Sequence, residues 1–231
     1  EVNPYDEFAL EAALLLKEAG KATEVVILTV GEADCEQRIK DGLARGADSA
    51  IRMDDAAFEG SDALGIARVL AAAVKKADVG LVLCGKQAID GDSSQVPGML
   101  AELLNWAQVT DISALELEGD AVTTHRAAGA GNKAVIETKL PVVLSCDKGL
   151  NTPRFASLRG IMMAKRKKIE VWGAGDLGVD GAQVGSGAAV LVEQGMSQPA
   201  ARPAGRMIDG GSVGEKVNEL VRLLREEAKV L

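Results

Sequence analysis

The sequence predicts an α/β domain with a doubly wound, mostly parallel sheet, an antiparallel extension and a C-terminal arm that ends in a helix. Its first half alternates short β-branched runs with helical patterns over short connections, which is typical of parallel sheets covered by helices. After Trp106 apolar and polar residues alternate around a glycine turn, which indicates antiparallel strands. With 231 residues the chain has room for one large domain, or for one domain with an appendage.

Caps, stops and apolar spacing mark the elements of the first half. Asn3 can cap a helix, and Pro4 can occupy its first turn. Gly46 follows a second helical pattern, where a residue with left-handed backbone often ends a helix. The predicted elements are a helix from Asn3 to about residue 19, a strand over 24–30, a helix over 34–45, a strand over 50–53 and a helix over 62–76.

The most informative stretch of the chain is 81–95. We interpret it as a buried central strand, a turn at Gly85, an acidic loop, and a helix start capped by Asp92, Ser93 or Ser94. A strand that leads into a helix N-terminus offers free N–H groups and the positive end of the helix dipole to a phosphate. The pattern therefore predicts a phosphate site, without specifying the nucleotide.

The second half predicts strands, an exposed loop and a final helix. The Gly149–Gly160 loop carries two apolar residues, Phe155 and Leu158, that look exposed. Residues 173–211 are rich in Gly, Ala and Pro and too poor in apolar residues for a core of their own. The predicted elements are a hairpin of 111–118 and 121–126, a loop over 127–132, strands over 133–139 and 141–146 (the second central), a helix over 161–168, a strand over 188–192 and a helix capped at Ser212.

Groups that could catalyse a reaction are sparse. Asp90 and Asp92 could act as acids, bases or Mg²⁺ ligands, or simply as capping carboxylates. The sequence has neither a G-x-G-x-x-G nor a G-x-x-x-x-G-K-[ST] motif, and the single histidine, His125, lies on the polar side of the hairpin. We expect no catalytic residue, no metal site and a nucleotide that is structural rather than turned over.

Composition excludes several classes of partner. The formal net charge of −8 argues against sequence-independent binding to nucleic acid, which needs a basic surface. The sequence contains no run of about 20 apolar residues, so we expect no direct membrane insertion. Cys35, Cys84 and Cys146 are widely spaced without a C-x-x-C pattern, so the sequence suggests neither a zinc site nor a disulfide framework. Two of them lie in or at the end of apolar runs and are most simply buried thiols, which fits a reducing, cytoplasmic setting.

Four segments together resemble the β subunit of the electron transfer flavoproteins: residues 3–6, 85–90, 153–158 and 161–169. The resemblance implies that 1–180 form an adenine-nucleotide-binding domain of the α-hydrolase-like type, and that 181–231 form an arm around the α subunit. On pattern alone, the arm could equally pack on its own domain. The family carries a strand and hairpin before its Asn-Pro pair, and this chain opens directly at a helix start. We therefore expect that first strand to be absent from this chain or processed away.

The resemblance also implies the cofactors. The α subunit would bind the redox-active FAD at the subunit interface, and this chain would hold an AMP without a catalytic role. Tyr5 falls where the family places an aromatic residue near the flavin ring, and the backbone of 94–96 would receive the phosphate. The implied cofactor-binding residues are Asn3, Pro4, Tyr5, Asp6, Val30, Leu81, Val82, Leu83, Cys84, Gly85, Lys86, Gln87, Ala88, Ile89, Asp90, Gly91, Asp92, Ser94, Gln95 and Val96.

A recognition loop is the third implication of the resemblance. The chain would accept electrons from an acyl-CoA-type dehydrogenase and pass them toward a quinone oxidoreductase, in a bacterial or archaeal cytoplasm rather than a mitochondrial matrix. Leu158 takes the place of the anchoring leucine. The implied docking residues are Arg154, Phe155, Ala156, Ser157, Leu158, Arg159, Gly160, Ile161, Met162 and Met163. The basic run 165–168 is either a solvated helix end or a patch for an acidic partner.

Some residues depart from the ordinary family pattern. Asp90-Gly91-Asp92 stands where ordinary members carry three acidic residues, and it is similar to the electron-bifurcating members, in which a second FAD replaces AMP and NADH is the donor. Leu158-Arg159-Gly160 is also similar to those members, whereas Gln95-Val96-Pro97-Gly98 differs from their usual Gln-Val-Gly-Pro. AMP and a second FAD therefore both stay open, with AMP favoured. An adenine-nucleotide hydrolase or a nucleotide sensor is a further alternative.

Overall fold

The computed structural model describes residues 2–192, 194–195, 197–202 and 204–231. The chain divides into two compact units, Glu1–Val192 and Glu193–Leu231. Residues 193, 196 and 203 of the predicted arm lie outside the described residues. The predicted functional division into 1–180 and 181–231 stays a prediction.

Helices and strands alternate through the first unit. Its helices are α1 (Pro4–Glu18), α2 (Glu36–Arg45), α3 (Ala63–Ala77), α4 (Val96–Leu104), α5 (Leu158–Ala164) and α6 (Ala174–Leu177). Its strands are β1 (Val26–Val30), β2 (Ser49–Met53), β3 (Leu81–Gly85), β4 (Ala107–Glu118), β5 (Ala121–Gly129), β6 (Asn132–Lys139), β7 (Val142–Cys146) and β8 (Ile169–Trp172).

The strands form two sheets in the described residues. The first has the order β1-β2-β8 and is parallel throughout. The second has the order β3-β7-β4-β5-β6, in which β3, β7 and β4 are parallel and β5 and β6 extend the sheet antiparallel. The predicted α/β class with a mostly parallel sheet and an antiparallel extension is therefore confirmed. The predicted central position of β7 is also confirmed, since every residue of this strand is buried.

An apolar cleft of about 970 Å³ separates β1 from β3, and each of these strands is an edge of its sheet. The prediction that β3 is a central strand is therefore wrong for the described residues: most of its side chains are half-buried and its only neighbour is β7. Leu10 and Ala13 of α1 also line the cleft. The first strand expected from the sequence stays a prediction.

The core brings the three helices α1, α2 and α5 together. Leu14 of α1, Ile39 and Leu43 of α2, and Ala164 of α5 are buried in one apolar cluster. A second cluster joins Ala9 and Leu16 of α1 to the buried strand β7. Helix α1 therefore packs on the second sheet and also on the apolar cluster that it shares with α2 and α5.

Several elements differ from the prediction. The helix predicted over 161–168 is α5, which begins at Leu158 and already ends at Ala164. Strand β8, which follows it and pairs with β2, was not predicted. The predicted loop over 127–132 is mostly strand, because β5 continues to Gly129 and β6 begins at Asn132. The predicted strand over 188–192 is not formed. There the N–H groups of Val190 and Leu191 donate to the carboxylate of Asp62, at 2.8 and 3.2 Å.

The second unit contains helix α7 (Val213–Glu226), as its capping pattern predicts. Ser212 and Glu215 form a reciprocal capping box, in which each side chain bonds to the backbone N–H of the other. Val213, Val217 and Leu220 on this helix are exposed. No helix among the described residues is long and apolar enough to cross a membrane.

Candidate nucleotide and docking sites

The N-terminus of α1 is tied to the end of β3 by side-chain hydrogen bonds. Asp6 accepts from the backbone N–H of Gly85 at 2.7 Å. Asn3 donates to the carbonyl oxygen of Gln87 at 2.8 Å and accepts from the N–H of Ile89 at 3.3 Å. Asn3 is the N-cap residue, but its side chain makes no capping bond because it is used in this junction. Two segments that are about 80 residues apart in sequence thus form one wall.

Gly85 allows this close approach. A Cβ atom at this position would lie 2.8 Å from Cβ of Tyr5, 2.9 Å from the backbone N of Asp6 and 3.0 Å from Nδ2 of Asn3. Two of these three atoms are fixed by the backbone of α1 and cannot move away alone. The φ of Gly85 is not in the left-handed region, so its backbone conformation does not require glycine. The glycine is needed for the close approach of the two elements instead.

The loop after β3 is held by its own side chains. Gln87 donates to Asp92 at 2.5 Å and accepts from the hydroxyl of Ser94 at 2.7 Å. Asp92 and Ser94 have left-handed backbone, with φ of 50° and 53°. Such conformations cost free energy in residues other than glycine and often occur at binding sites. The loop therefore has a defined shape before any ligand binds.

Helix α4 begins later than the sequence suggests. Its N-cap is Gln95, and no side chain caps the helix, so the predicted caps Asp92, Ser93 and Ser94 are wrong. Ser94 bonds to Gln87 instead. Pro97 has no backbone N–H group, and no side chain caps the other N–H groups of the first helical turn. This helix start can still receive an anion such as phosphate.

The structure brings most of the predicted cofactor residues to the cleft between β1 and β3. The lining includes Asn3, Asp6, Val30, 81–88 and 94–96. Ile89, Asp90, Gly91 and Asp92 are exposed at the tip of the loop and do not line it, nor do Pro4 and Tyr5. Ser93, which the sequence suggested only as a cap, does line the cleft.

Tyr5 lies beside a positive charge. The ammonium of Lys86 is 5.2 Å from the centre of the Tyr5 ring and 3.2 Å from the carboxylate of Asp147. Burial disfavours the charged ammonium, but the hydrogen bond and the charge of Asp147 outweigh it, so the pKa of Lys86 is raised. Lys86 is therefore a fixed cation beside the aromatic ring. No sequence pattern indicated Asp147, which follows the adjacent strand β7.

Residues 154–163, which we call the docking loop after the role predicted for them, display apolar side chains to solvent, as predicted. The exposed fraction is 94% for Phe155 and 77% for Leu158. Met162 and Met163, on the helix that follows, are also exposed. Ser157 caps this helix by accepting from the N–H of Gly160 at 3.0 Å. Together, residues 155–163 form an exposed apolar patch on a defined turn.

Exposed cationic side chains lie within this patch and directly after it in the chain. Arg159, Lys165, Arg166 and Lys168 are exposed and form no ion pair within the part of the chain that the structure describes. Lys167 is different, because it donates to the backbone carbonyl oxygen of Ala47. The apolar patch is thus accompanied by exposed cations on a protein whose formal net charge is −8. This arrangement favours a partner with an acidic surface.

Arg154 faces inward, unlike its neighbours. Its guanidinium bonds to the Glu11 carboxylate at 2.8 and 2.9 Å and to the Glu18 carboxylate at 2.5 and 3.0 Å, and its backbone N–H donates to Glu11 at 3.1 Å. Glu11 is only 6% exposed. Burial tends to raise the pKa of Glu11, but the hydrogen bonds and charge of Arg154 outweigh it, so this pKa is lowered. The sequence did not suggest either glutamate as part of the loop.

Replacing Arg154 by methionine should raise the pKa of Glu11 above that of an ordinary glutamate, because burial then acts without the opposing guanidinium. In the natural protein the lowered pKa means that Glu11 adds stability at neutral pH, which is lost as the pH falls through that lowered value. Carboxyl-carbon NMR of Glu11 across the acid range measures the shift. Arg159→Met, which removes a cation that does not touch Glu11, should leave this titration unchanged. Equal midpoints in Arg154→Met and the natural protein would show that the pair does not set the pKa.

Comparisons with known proteins decide the family. Residues 1–177 match the electron transfer flavoprotein domain. The chain is 42% identical over 231 residues to the electron transfer flavoprotein subunit beta of Bradyrhizobium diazoefficiens, covering 100% of this chain and 86% of that protein. It is 45% identical over 181 residues to the corresponding subunit of Bos taurus, covering 78% and 71%. It is also 38% identical over 227 residues to the caffeyl-CoA reductase-Etf complex subunit CarD of Acetobacterium woodii, covering 98% and 86%.

The chain belongs to the electron transfer flavoprotein family. The resemblance stated from four sequence segments is confirmed by this match. Members of the family carry electrons, and their β subunits pair with an α subunit, which makes an electron-transport role for this chain the coarse conclusion.

Two thiols of this electron transfer flavoprotein chain lie next to the nucleotide wall, the half-buried Cys84 and the buried Cys146. Burial raises the pKa of Cys84 well above its usual value, and burial raises that of Cys146 to about 12. Both therefore stay protonated at neutral pH and act as apolar core residues. Among the described residues, no group of three or more His, Cys, Asp or Glu side chains could hold a metal ion.

Proposed function

We propose that this chain is the β subunit of a heterodimeric electron transfer flavoprotein that accepts electrons from an acyl-CoA-type dehydrogenase and passes them toward a quinone oxidoreductase. The redox FAD would be held mainly by the α subunit, and a structural AMP would lie in this chain. The protein would act in the cytoplasm as a carrier and not as an enzyme.

The docking loop is the observation that carries this proposal. Exposed apolar side chains such as Phe155 and Leu158 cost solubility, and natural surfaces retain them where they bind something. A small apolar patch accompanied by exposed cations suits a short-lived encounter in which charge guides approach and one or two side chains anchor the contact. An electron carrier needs such a contact, since it must dissociate after each transfer.

The nucleotide wall supports the AMP assignment. The junction of Asn3 and Asp6 with Gly85 and Gln87 fixes one side of a pocket whose far end is the uncapped start of α4. That helix start suits a phosphate, and both carboxylate oxygens of Asp6 in the wall already accept hydrogen bonds, from the Gly85 N–H and from the Asn3 amide. Lys86 and Tyr5 would lie at the boundary toward the flavin, where the fixed cation could stabilise a negatively charged flavin.

The second candidate is a bifurcating flavoprotein with FAD in place of AMP and NADH as the donor. Gly91 favours it, because a Cβ atom there would meet no atom within 4 Å and its φ is not left-handed. The fold therefore does not require a glycine at this position, which leaves a ligand as one reason for it. The relative from Acetobacterium woodii, named as a subunit of a reductase-Etf complex, points in the same direction.

A reduction assay separates the two candidates. The heterodimer, purified with its α subunit, would be mixed either with an acyl-CoA dehydrogenase and butyryl-CoA or with NADH alone. The carrier predicts that the dehydrogenase bleaches the flavin absorbance and that NADH does not. Rapid bleaching by NADH alone would favour bifurcation, and no bleaching by either donor would contradict both.

A further inference from the structure

The helix that carries Tyr5 at one end holds the docking loop with its other half. Glu11 and Glu18 lie on α1 two turns apart, and both carboxylates bind the single guanidinium of Arg154 at the base of the loop. Asn151, just before the loop, donates to the backbone carbonyl oxygen of Phe8 at 2.9 Å. These contacts join residues that are more than 130 positions apart in sequence.

Glu11, Arg154 and Glu18 together form what we call the clamp, and its geometry makes it rigid. An arginine fork bound by two carboxylates allows few orientations, since each bond fixes the plane of the guanidinium. The backbone N–H of Arg154 is held by Glu11 as well, so the main chain of the loop is fixed and not only a side chain. Arg154 directly precedes Phe155, the first exposed apolar residue of the patch.

Close packing holds the other end of the loop. A Cβ atom on Gly160 would overlap the carbonyl oxygen of Ala44 at the end of α2, so α5 can approach α2 only with glycine there. Ala164 of α5 is buried in the apolar cluster that contains Leu14 of α1. The loop is therefore fastened at Arg154 and again at Gly160 and Ala164, with the exposed residues between.

We propose that α1 is a shared mount for Tyr5 and the docking loop, meaning that this one helix fixes the position of both. The clamp of Glu11, Arg154 and Glu18 holds the loop at a fixed place relative to Tyr5. Arg154 is then a positioning residue and not a contact for the partner. From Tyr5 to Glu18 the helix rises about 20 Å, at about 1.5 Å per residue. The inference rests on the proposed function, because it assigns the loop a docking role. The cations free to meet the partner are then Arg159, Lys165, Arg166 and Lys168.

The test uses the heterodimer with Glu11→Gln, Glu18→Gln and the control Glu102→Gln. Glu102 is an exposed helical glutamate that has no recorded side-chain partner in the described part of the chain. Hydrogen exchange of the α5 amides reports the order of the loop. Steady-state assays with butyryl-CoA-reduced acyl-CoA dehydrogenase give kcat and KM for the heterodimer, and reduction by dithionite reports the flavin without docking.

Glu11→Gln should speed exchange in α5 about tenfold and raise KM about tenfold, with kcat and dithionite reduction unchanged. A tenfold increase in KM is expected when the competent loop conformation falls to about a tenth of the population. Glu18→Gln should act in the same direction but less, because Glu18 is more exposed than Glu11. It also serves as the test if Glu11→Gln does not fold. Glu102→Gln should match the natural protein in every assay.

The outcomes separate the clamp from the docking function. Unchanged exchange in α5 in both clamp variants would overturn the clamp. Faster exchange without a change in KM, while Leu158→Ala raises KM, would overturn the shared mount and leave the proposed function standing. If neither Leu158→Ala nor the clamp variants alter KM, the docking function itself fails, and the inference fails with it.

Discussion

Replacement of Leu158 by alanine is expected to slow electron transfer from an acyl-CoA-type dehydrogenase by about 30-fold at limiting heterodimer concentration. An anchoring side chain that fills a partner pocket contributes about 2 kcal/mol or more to binding, and each 1.4 kcal/mol is about tenfold in affinity. Leu158 is 77% exposed, so its side chain contributes little to packing within the fold. The free energy of unfolding should change by less than about 0.5 kcal/mol.

The measurement is the rate of flavin bleaching by the reduced dehydrogenase at several heterodimer concentrations. Val135→Ala is the control, because Val135 is an exposed aliphatic residue on β6, outside the docking loop. It should leave the rate unchanged. Natural rates in Leu158→Ala, with natural flavin content, would remove the docking role from this residue.

Replacement of Gly85 by alanine is expected to destabilise the domain by about 1–3 kcal/mol, the usual cost of forcing extra atoms into a packed contact. The added methyl group would press on Tyr5 and on the backbone N of Asp6. Because the two walls of the pocket must then separate, the hydrogen bond between Asp6 and the Gly85 N–H lengthens as well. We therefore expect the purified heterodimer to retain less of the nucleotide that this chain holds.

Chemical denaturation and the nucleotide content after acid release check both effects. Gly80→Ala is the matched control, since Gly80 precedes the same strand and a Cβ atom there would meet nothing within 4 Å. Its free energy of unfolding should stay within about 0.5 kcal/mol of the natural value, or rise slightly. Equal stability of the Gly85→Ala and Gly80→Ala proteins would show that the close approach is not required.

The sequence predicted those elements that local chemistry marks. Ser212 with Glu215 is a complete capping box, Asp62 caps α3 as its residue type suggests, and Gly46 ends α2 with a positive φ. Each of these signals lies within a few residues of the boundary that it sets. The exposure of Phe155 and Leu158 was predictable for a similar reason, because apolar residues in a proline-containing loop have no periodic face to bury.

Long-range pairing set the elements that were missed or predicted wrongly. Strand β8 follows a basic run that reads as a helix end, and it is a strand because β2 offers it a parallel partner some 120 residues earlier in the chain. The apolar run 188–192 looks like a strand but has no strand partner within the described residues, and Asp62 binds its N–H groups instead. A local pattern does not contain either fact.

The candidate site shows the same division. The wall of Asn3, Asp6 and Gly85 and the docking loop could be placed from the family resemblance, whereas their supports could not. Glu11 reads as an ordinary helical glutamate, and nothing near it in sequence shows that it is buried against Arg154. Asp147 likewise follows a strand without a motif, yet it holds Lys86 beside Tyr5.

The cofactor content of the purified heterodimer tests the central proposal most directly. The protein would be denatured, the released flavin measured by absorbance, and the released AMP measured by chromatography, both per mole of heterodimer. A carrier with a structural nucleotide in this chain predicts one FAD and one AMP. Two FAD and no AMP would contradict it and establish the second-flavin alternative that Gly91 favours.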